Sequence, residues 1–320
     1  SGILLERIFF EGKLTSIATA KRYALSTTAY STLVSVQTGI SSVNNESYGF
    51  GLSHKYAFTK DHFVRVSYER ATRIPDAGEY FGDGRFVLAN PFLKPEESDN
   101  INLGFEGPIS NRFSLGINSF YRKVRDQVVL QPLFFFFSQN QNLDNARILG
   151  TEVTLRANIT EGLKGVFNVT YTDARRVDIE LVNQRLNEEA RLPYRPYFFT
   201  NLNLSYTKDG LFAKNDQFQA FANHSFTEKY IFSQIPRSQE PGLFEDLSNS
   251  SISNLEDSLI PTQNVVDVGC TYKLGSMPLW INAEVINLTN AELFDAFLIP
   301  KPGRNYRIKL RYLLTKKMNQ

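Results

Sequence analysis

Cysteine, histidine and long apolar runs are scarce in this chain of 320 residues. The single cysteine, Cys270, excludes an internal disulfide framework and a four-thiolate metal site. No apolar run approaches the roughly 20 residues that a transmembrane helix needs. The formal net charge of +2 is close to neutral, and it predicts no nucleic acid or other polyanion as a partner. Aromatic residues, by contrast, are abundant at 26 Phe and 15 Tyr, which excludes a disordered class.

Residues 306–314 show a pattern of alternating side chains that the rest of the chain repeats. Successive side chains of a strand point to opposite faces. One face therefore carries only apolar and aromatic side chains, and the other carries three cations and one leucine. This alternation is typical of a soluble sandwich, with its aliphatic side in a core. It is equally typical of a membrane barrel, with its aliphatic side in lipid and its charges in a wet lumen.

Period-two alternation predicts about twelve strands. The first is the least regular, and the last is the segment described above. In chain order, the predicted strands lie within 3–23, and at 48–58, 62–72, 99–107, 111–124, 146–159, 163–172, 198–206, 216–226, 264–274, 278–286 and 306–314.

The connections between these strands alternate between short and long without a break, which favours the barrel over the sandwich. Periplasmic turns of outer-membrane barrels are short and extracellular loops are long. The long loop before the last strand predicts that this strand runs inward and that the C-terminus is periplasmic. The short turns are 59–61, 108–110, 160–162, 208–215 and 275–277, and the long loops are 24–46, 73–98, 125–145, 173–197, 228–263 and 287–302.

A series of motifs, taken in order, resembles the C-terminal barrel portion of TonB-dependent outer-membrane receptors. The resemblance covers roughly residues 48–314, and the version with a carboxypeptidase-regulatory-like domain, found in Bacteroidota and relatives, is the most similar. The motifs are SYERATRIPD at 67–76, EYFG at 79–82, NPFLKPEES at 90–98, NLGF at 102–105, FYRKVRD at 120–126, NARILGTE at 145–152, NVTYTDA at 168–174, NLTN at 287–290 and PGR at 302–304.

The resemblance implies an all-β, antiparallel transmembrane barrel of twenty-two strands around a plug. Residues 1–320 are then expected to be the C-terminal part of that barrel, without the plug, the TonB-pairing box and roughly the first ten strands. The start of the chain has no basic segment before its apolar stretch, so we expect either a mature protein or a start within a longer one. We also expect that the chain does not close a working barrel alone.

The function that the resemblance implies is import of a scarce solute, such as a siderophore, a glycan or a peptide, with energy passed through TonB. The implied partners are outer-membrane lipid, the TonB complex through the plug, and a surface lipoprotein acting as a lid. No chemistry on the solute, no cofactor and no nucleic acid are expected. The alternatives are a self-contained outer-membrane barrel that acts as a phospholipase- or protease-type enzyme, and an adhesin.

Five charged side chains are expected to face the lumen or the plug: Arg65, Glu69, Arg307, Lys309 and Arg311. They line a solute path, clamp the plug, or form a structural charged wall paired to neighbouring strands, and the last interpretation is favoured because buried charge is usually paired.

The apolar run 134–137 lies in an extracellular loop. It is either a contact surface or, as we expect, part of a hairpin around residues 131–132 that extends the fifth and sixth predicted strands above the membrane and whose rings pack on neighbouring loops. The three histidines show no spacing typical of a metal site, and no Gly-x-Ser-x-Gly elbow occurs, so no catalytic or metal-ligating residue is predicted. Cys270 is expected on the lipid face as a small hydrophobe.

Overall fold

The computed structural model describes residues 1–30, 40–134, 137–142, 145–179, 188–233, 235–245, 258–296 and 299–314. These residues are mostly strand, with one short helix. In chain order, the elements are β1 (Gly2–Phe9), β2 (Leu14–Tyr30), β3 (Ile40–Ala57), β4 (Phe63–Arg73), α1 (Ala77–Phe81), β5 (Val87–Leu88), β6 (Glu96–Pro108), β7 (Phe113–Arg125), β8 (Val128–Phe134), β9 (Phe137–Asn142), β10 (Asn145–Asn158), β11 (Leu163–Val177), β12 (Phe198–Asp209), β13 (Gln217–Thr227), β14 (Tyr230–Ile231), β15 (Leu259–Ile260), β16 (Gln263–Lys273), β17 (Leu279–Ile286), β18 (Phe294–Ala296), β19 (Ile299–Pro300) and β20 (Asn305–Tyr312).

Thirteen strands form one sheet in the order β1-β2-β3-β4-β6-β7-β10-β11-β12-β13-β16-β17-β20. Every neighbouring pair is antiparallel, and each strand pairs with the next long strand along the chain. The sheet is therefore a meander. Within the described residues it does not close on itself, because β1 and β20 form its two edges.

The register separates the side chains into two faces along the whole sheet. In an antiparallel pair, directly opposite residues lie on the same face. Leu52 lies opposite Tyr68, Tyr68 opposite Ile101, and Ile101 opposite Tyr121, so apolar side chains continue from strand to strand. We call this side the apolar face. The other side, with Ser53, Ser67 and Asn102 in the neighbouring row, is the polar face.

Aromatic side chains bound the apolar face at two levels. On four strands they stand eight positions apart, namely Tyr48 and Tyr56, Phe113 and Tyr121, Phe198 and Tyr206, and Phe218 and Phe226. Eight residues of strand span about 26 Å, which is about 20 Å across a layer at a tilt of about 40°. Between the two levels lie exposed aliphatic side chains such as Leu103 (58% exposed) and Leu149 (49%). A band of this height with an aromatic girdle at each edge is the surface of a membrane barrel.

The connections alternate in length as the sequence predicts. Short turns of residues 10–13, 58–62, 109–112, 159–162, 210–216 and 274–278 lie at one end of the sheet, and the long connections lie at the other. The three clusters of buried apolar residues all include residues of the long connections, for example Tyr80 and Leu93, or Ile231 and Leu259. In the described part of the chain no second sheet covers the apolar face, so the sandwich alternative is not the structure.

The prediction of one strand within 3–23 is wrong, because two strands, β1 and β2, occupy this segment. The turn between them contains Phe10, Glu11 and Gly12, with φ of 52°, 55° and 91°. Only the glycine favours these left-handed values. The predicted loop 24–46 is also largely strand, since β2 continues to Tyr30 and β3 begins at Ile40. The other strand predictions agree with the structure to within a few residues at most ends.

Helices contribute little to this fold. Among the described residues, the helices are too short or too polar to cross a membrane.

Candidate functional site

The five charged residues singled out in the sequence all lie on the polar face. Arg65 and Glu69 lie on β4, opposite Lys55 and Gly51 of β3. Glu69 accepts a 3.1 Å hydrogen bond from the ammonium of Lys21. The structure thus gives Glu69 a partner on the same wall. Both side chains of this pair are nearly half exposed, so the pair is worth at most about 1 kcal/mol.

The three cations of β20 lie far from this pair, because eight strands of the sheet separate β4 from β20. The Arg307 guanidinium lies 3.5 Å from a carboxylate oxygen of Glu284. Arg311 lies over the ring of Trp280, 5.5 Å from its centroid. Lys309 lies opposite Asn282. The five residues therefore belong to one face but not to one site.

Between these charged sectors, the polar face carries a row of uncharged side chains on β11, β12 and β13. Asn168 lies opposite Asn201, whose Oδ1 accepts a 2.9 Å hydrogen bond from Ser225. Two residues further along β12, toward the short-turn end, the side-chain amide of Asn203 donates a hydrogen bond to Asn223 Oδ1. Between the two aromatic levels, β12 and β13 present no charged residue to this face. We call Asn168, Asn201, Asn203, Asn223 and Ser225 the amide patch. The sequence shows the alternation of Asn201 and Asn203 with leucines, although the site residues predicted from it are all charged.

A compact cap of two long connections lies beside the polar face. Its first part is the connection between β4 and β6, which begins with α1. Asp76 caps this helix, since its carboxylate accepts a 2.9 Å hydrogen bond from the Glu79 backbone N–H. The Glu79 carboxylate in turn accepts a 2.9 Å hydrogen bond from the Asp76 backbone N–H. Tyr80 of α1 is fully buried against Leu93 and Val43, and its hydroxyl accepts from the Asn45 amide. The cap is thereby attached to the inner side of the β2–β3 hairpin.

The second part of the cap is the hairpin of β8 and β9, which joins β5 in a three-stranded sheet. Side-chain amides tie the two connections together. Asn90 donates to the carbonyl of Asn140 at 2.7 Å, and Asn142 accepts from the Lys94 backbone N–H at 2.7 Å. These bonds join segments about fifty residues apart and so connect the two parts of the cap.

A turn at Asp83 supports the edge of this cap. Its Oδ1 accepts hydrogen bonds from the backbone N–H groups of Arg85, Phe86 and Val87, each at 2.8 Å. The N–H donors of Val87 and Arg85 hold the pKa of the Asp83 carboxyl below its ordinary value, because they favour the charged form.

The hairpin predicted around residues 131–132 exists, but it is placed differently. β8 runs through Gln131 and Pro132, which lie opposite Gln139 and Ser138, and the last described pair is Phe134 with Phe137. The hairpin belongs to the separate three-stranded sheet and does not extend β7 and β10. Residues 135 and 136 of the apolar run lie outside the described residues.

A second cluster of charges lies at the long-connection end of β11. Asp173 accepts from Arg175 at 2.8 Å, and Glu240 lies 3.2 Å from the same guanidinium. Arg191 stacks on the ring of Tyr197 at 4.1 Å. Burial raises the pKa of the Tyr197 phenol to about 12. This network joins the connection before β12 to the connection after β13, and it acts as a structural clamp.

The histidines and the cysteine of the described residues each lie in a local setting of their own. No group of three or more His, Cys, Asp or Glu side chains in these ranges is placed to hold a metal ion. His54 pairs with Ser16 at 2.9 Å, His62 with the Pro108 carbonyl at 2.8 Å, and His224 with Asn264 at 2.6 Å. Cys270 lies opposite Ala220 and Ala283 on the apolar face.

Comparisons with known proteins agree with this architecture. Residues 14–288 match the family described as TonB dependent receptor-like, beta-barrel. An iron-regulated outer membrane virulence protein of Vibrio cholerae serotype O1 is 25% identical over 249 residues, which are 74% of this chain and 34% of that protein. The chain thus spans about a third of the length of this curated relative.

Solved structures show the same fold. The copper transporter OprC superposes with a TM-score of 0.70 at 15% identity, over 93% of this chain and 44% of that one. BauA, the ferric preacinetobactin receptor from Acinetobacter baumannii, superposes with a TM-score of 0.66 at 15% identity, over 97% of this chain and 42% of that one. The FrpB iron transporter from Neisseria meningitidis (F3-3 variant) superposes with a TM-score of 0.66 at 16% identity, over 97% of this chain and 44% of that one. Because the family match covers most of the chain, this protein belongs to the family of TonB-dependent receptor-like β-barrels.

Proposed function

We propose that this chain is the C-terminal part, residues 1–320, of an outer-membrane receptor barrel that imports a scarce solute with energy passed through TonB. The observation that carries the proposal is the exposed apolar face between two aromatic levels, backed by a continuous polar face. A soluble protein rarely exposes an apolar surface of this extent. The family is one of receptors, so the chain belongs to a receptor and not to an enzyme.

In this proposal the apolar face contacts outer-membrane lipid, and the polar face lines the lumen. The charged residues Arg65, Glu69, Arg307, Lys309 and Arg311 then meet the plug or line the solute path. The amide patch offers both donors and acceptors without fixed charge, so it can exchange partners at little electrostatic cost. We therefore assign the charged sectors to plug contacts and the amide patch to the wall along which the solute passes.

The orientation follows from the connection lengths. Short turns are periplasmic in outer-membrane barrels, and the short-turn end of this sheet is where β20 finishes. The C-terminus is thus proposed to be periplasmic, with the cap extracellular. From the sequence resemblance we also propose that the receptor is of the Bacteroidota type and that a surface lipoprotein covers it as a lid. The relatives suggest iron or copper compounds as solutes, since their names describe iron-regulated, ferric-siderophore and copper proteins.

The proposed import is tested by depletion of solutes from growth medium. Wild-type cells, cells without the receptor gene and cells without TonB are grown under nutrient limitation, and the spent medium is compared by mass spectrometry. We expect at least one scarce solute to be removed by wild-type cells and left by both mutants. If the receptor is needed for cell attachment but no solute is left behind, an adhesin is the better interpretation.

A further inference from the structure

Three short turns, those after β3, β6 and β10, are built alike. Each begins with an apolar residue and a hydroxyl residue, namely Phe58-Thr59, Ile109-Ser110 and Ile159-Thr160. In all three, the backbone N–H of the apolar residue donates to the carbonyl oxygen four residues later, at 2.8–2.9 Å, so the ladder of each hairpin continues into its turn. Because strand side chains alternate, this bond fixes the apolar residue on the apolar face of its own strand.

Two of these apolar residues lie level with the aromatic residues nearer the short turns. Ile109 is paired with Phe113, which belongs to that aromatic level, and is 63% exposed. Ile159 is paired with Leu163, which lies opposite Tyr206 of the same level. The chain therefore reverses within the layer that the aromatic side chains mark, and not beyond it.

Rings of two turns pack against this aromatic level from outside the strands. Phe58 packs edge-on against Tyr56, with 5.2 Å between the ring centroids. Phe212, in the turn after β12, is 73% exposed and packs edge-on against Phe218 at 6.3 Å and Tyr272 at 5.6 Å. The last two rings lie opposite each other on the apolar face. Turns are usually polar, but these turns extend the apolar surface.

The hydroxyl residues satisfy backbone donors within the turns. Their oxygens accept hydrogen bonds from N–H groups two or three residues later, namely Thr59 from His62 at 3.1 Å, Ser110 from Arg112 at 3.3 Å and Thr160 from Leu163 at 3.1 Å. A turn in water can leave such donors to the solvent, but near the hydrocarbon of a membrane an unsatisfied donor is costly. These turns are therefore suited to a layer that is poor in water.

We propose that the short turns lie in the interfacial layer of the membrane, where Phe58, Ile109 and Ile159 contact the boundary between phospholipid headgroups and acyl chains. On the proposed orientation this is the periplasmic leaflet. Lipid suits this surface better than a protein partner, because the apolar residues recur from hairpin to hairpin and continue the apolar face. The inference rests on the proposed outer-membrane barrel and goes beyond it, since the short turns of such a barrel could equally stand in water.

The test uses the complete receptor that carries this chain, in phospholipid vesicles, with Cys270 and any other cysteine replaced by serine. Nitroxide spin labels on Ile109→Cys and Ile159→Cys are compared with labels on Asn111→Cys and Glu161→Cys, which replace exposed polar residues of the same two turns. Collisions with oxygen, which partitions into lipid, are measured against collisions with a water-soluble nickel complex. We expect the oxygen-to-nickel ratio to be about threefold or more higher at the apolar positions.

A second measurement needs no label. Ile109→Ser should lower the ratio of folded to unfolded receptor in urea titration by about fivefold, because part of the burial of an isoleucine side chain in lipid is lost. Asn111→Ser, two residues further in the same turn, should leave this ratio unchanged. If the turn stands in water, Ile109→Ser should also have no effect, since this side chain is mostly exposed on the protein.

A label on Leu202→Cys, in the middle of the apolar band, separates failure of the inference from failure of the proposed function. If this label is shielded from the nickel complex while Ile109 and Ile159 are as open to it as their polar neighbours, the inference is overturned and the barrel stands. If the Leu202 label is itself open to the nickel complex, the apolar face is not in lipid and the proposed function fails. Turn labels shielded from both reagents would indicate a protein partner and would also overturn the inference.

Discussion

Leu202 and Asn203 are adjacent on β12 and lie on opposite faces, so they test the assignment of the two faces directly. Leu202 stands four positions from Phe198 and four from Tyr206, which are the aromatic residues at the two levels on its strand. It therefore lies at the middle of the apolar band. An arginine at the midplane of the lipid face costs about 2–4 kcal/mol. Leu202→Arg should thus reduce the ratio of folded to unfolded barrel by about 30- to 700-fold.

Asn203→Arg places the same side chain one residue further, on the polar face. There it meets water or the lumen, and the main loss is the hydrogen bond to Asn223. A neutral hydrogen bond of this kind contributes about 1 kcal/mol. We therefore expect a penalty of about 1 kcal/mol or less, so that the two variants differ by at least about 1 kcal/mol although their sequences are nearly identical.

The assay is urea titration of the complete receptor in outer membranes, read as the fraction that stays compact in unheated electrophoresis. Outer-membrane yield in cells is the second readout. If Asn203→Arg lowers the folded fraction as much as Leu202→Arg does, then the polar face is not in contact with water. If Asn203→Arg is the worse variant, the two faces have been assigned the wrong way round.

Four further perturbations test other parts of the structure. Gly82→Ala should loosen the cap in limited proteolysis, because a Cβ there would lie 2.0 Å from the Val87 carbonyl oxygen. Gly84→Ala has a similar positive φ but open space around its Cβ, so it should show only the backbone strain and loosen the cap less. The folded pKa of Tyr197, about 12, exceeds the unfolded value of about 10, so the stability that its neutral phenol contributes is complete below pH 10 and is lost as pH rises through 12. On the order of 2 kcal/mol should disappear from the unfolding free energy in that window, and Tyr197→Phe should remove this pH-dependent step. A tag within 235–245 should be accessible on intact cells and a tag at 275–277 should not, and the reverse labelling would invert the barrel. The isolated chain should not refold in detergent to a compact, heat-modifiable monomer, and such a monomer would show that it closes by itself.

The strands could be predicted from the sequence because their environment is two-sided. A strand between lipid and water must alternate, and the pattern survives over eight or more residues whatever its neighbours are. The prediction failed at β1, where residues 3–5 are all apolar, and alternation gives no signal. It failed again at the following turn, because Phe10 and Glu11 adopt positive φ without the glycine or asparagine that usually announces it.

The sequence predicts the charged strand residues of the candidate site but not its cap. Charged residues on strands could be assigned to the polar face by counting positions, and Arg65 and Arg311 lie there as expected. The cap could not be predicted, because it depends on hydrogen bonds such as Asn90 to Asn140 and Lys94 to Asn142. Asparagines in long loops look the same in sequence whether they are solvated or join two segments.

The edges of the sheet carry the last physical constraint. A strand in lipid needs a hydrogen-bonded neighbour on each side, because each unsatisfied backbone group costs several kcal/mol there. In the described residues β1 and β20 each have only one neighbour, and both are exposed along their whole length. By its register with β2, the strand β1 carries Leu4 and Ile8 on the polar face, the same face on which β20 carries Lys309 and Arg311. Each edge therefore needs a hydrogen-bonded partner along its whole length, and we propose that separate strands of a larger barrel supply the two partners.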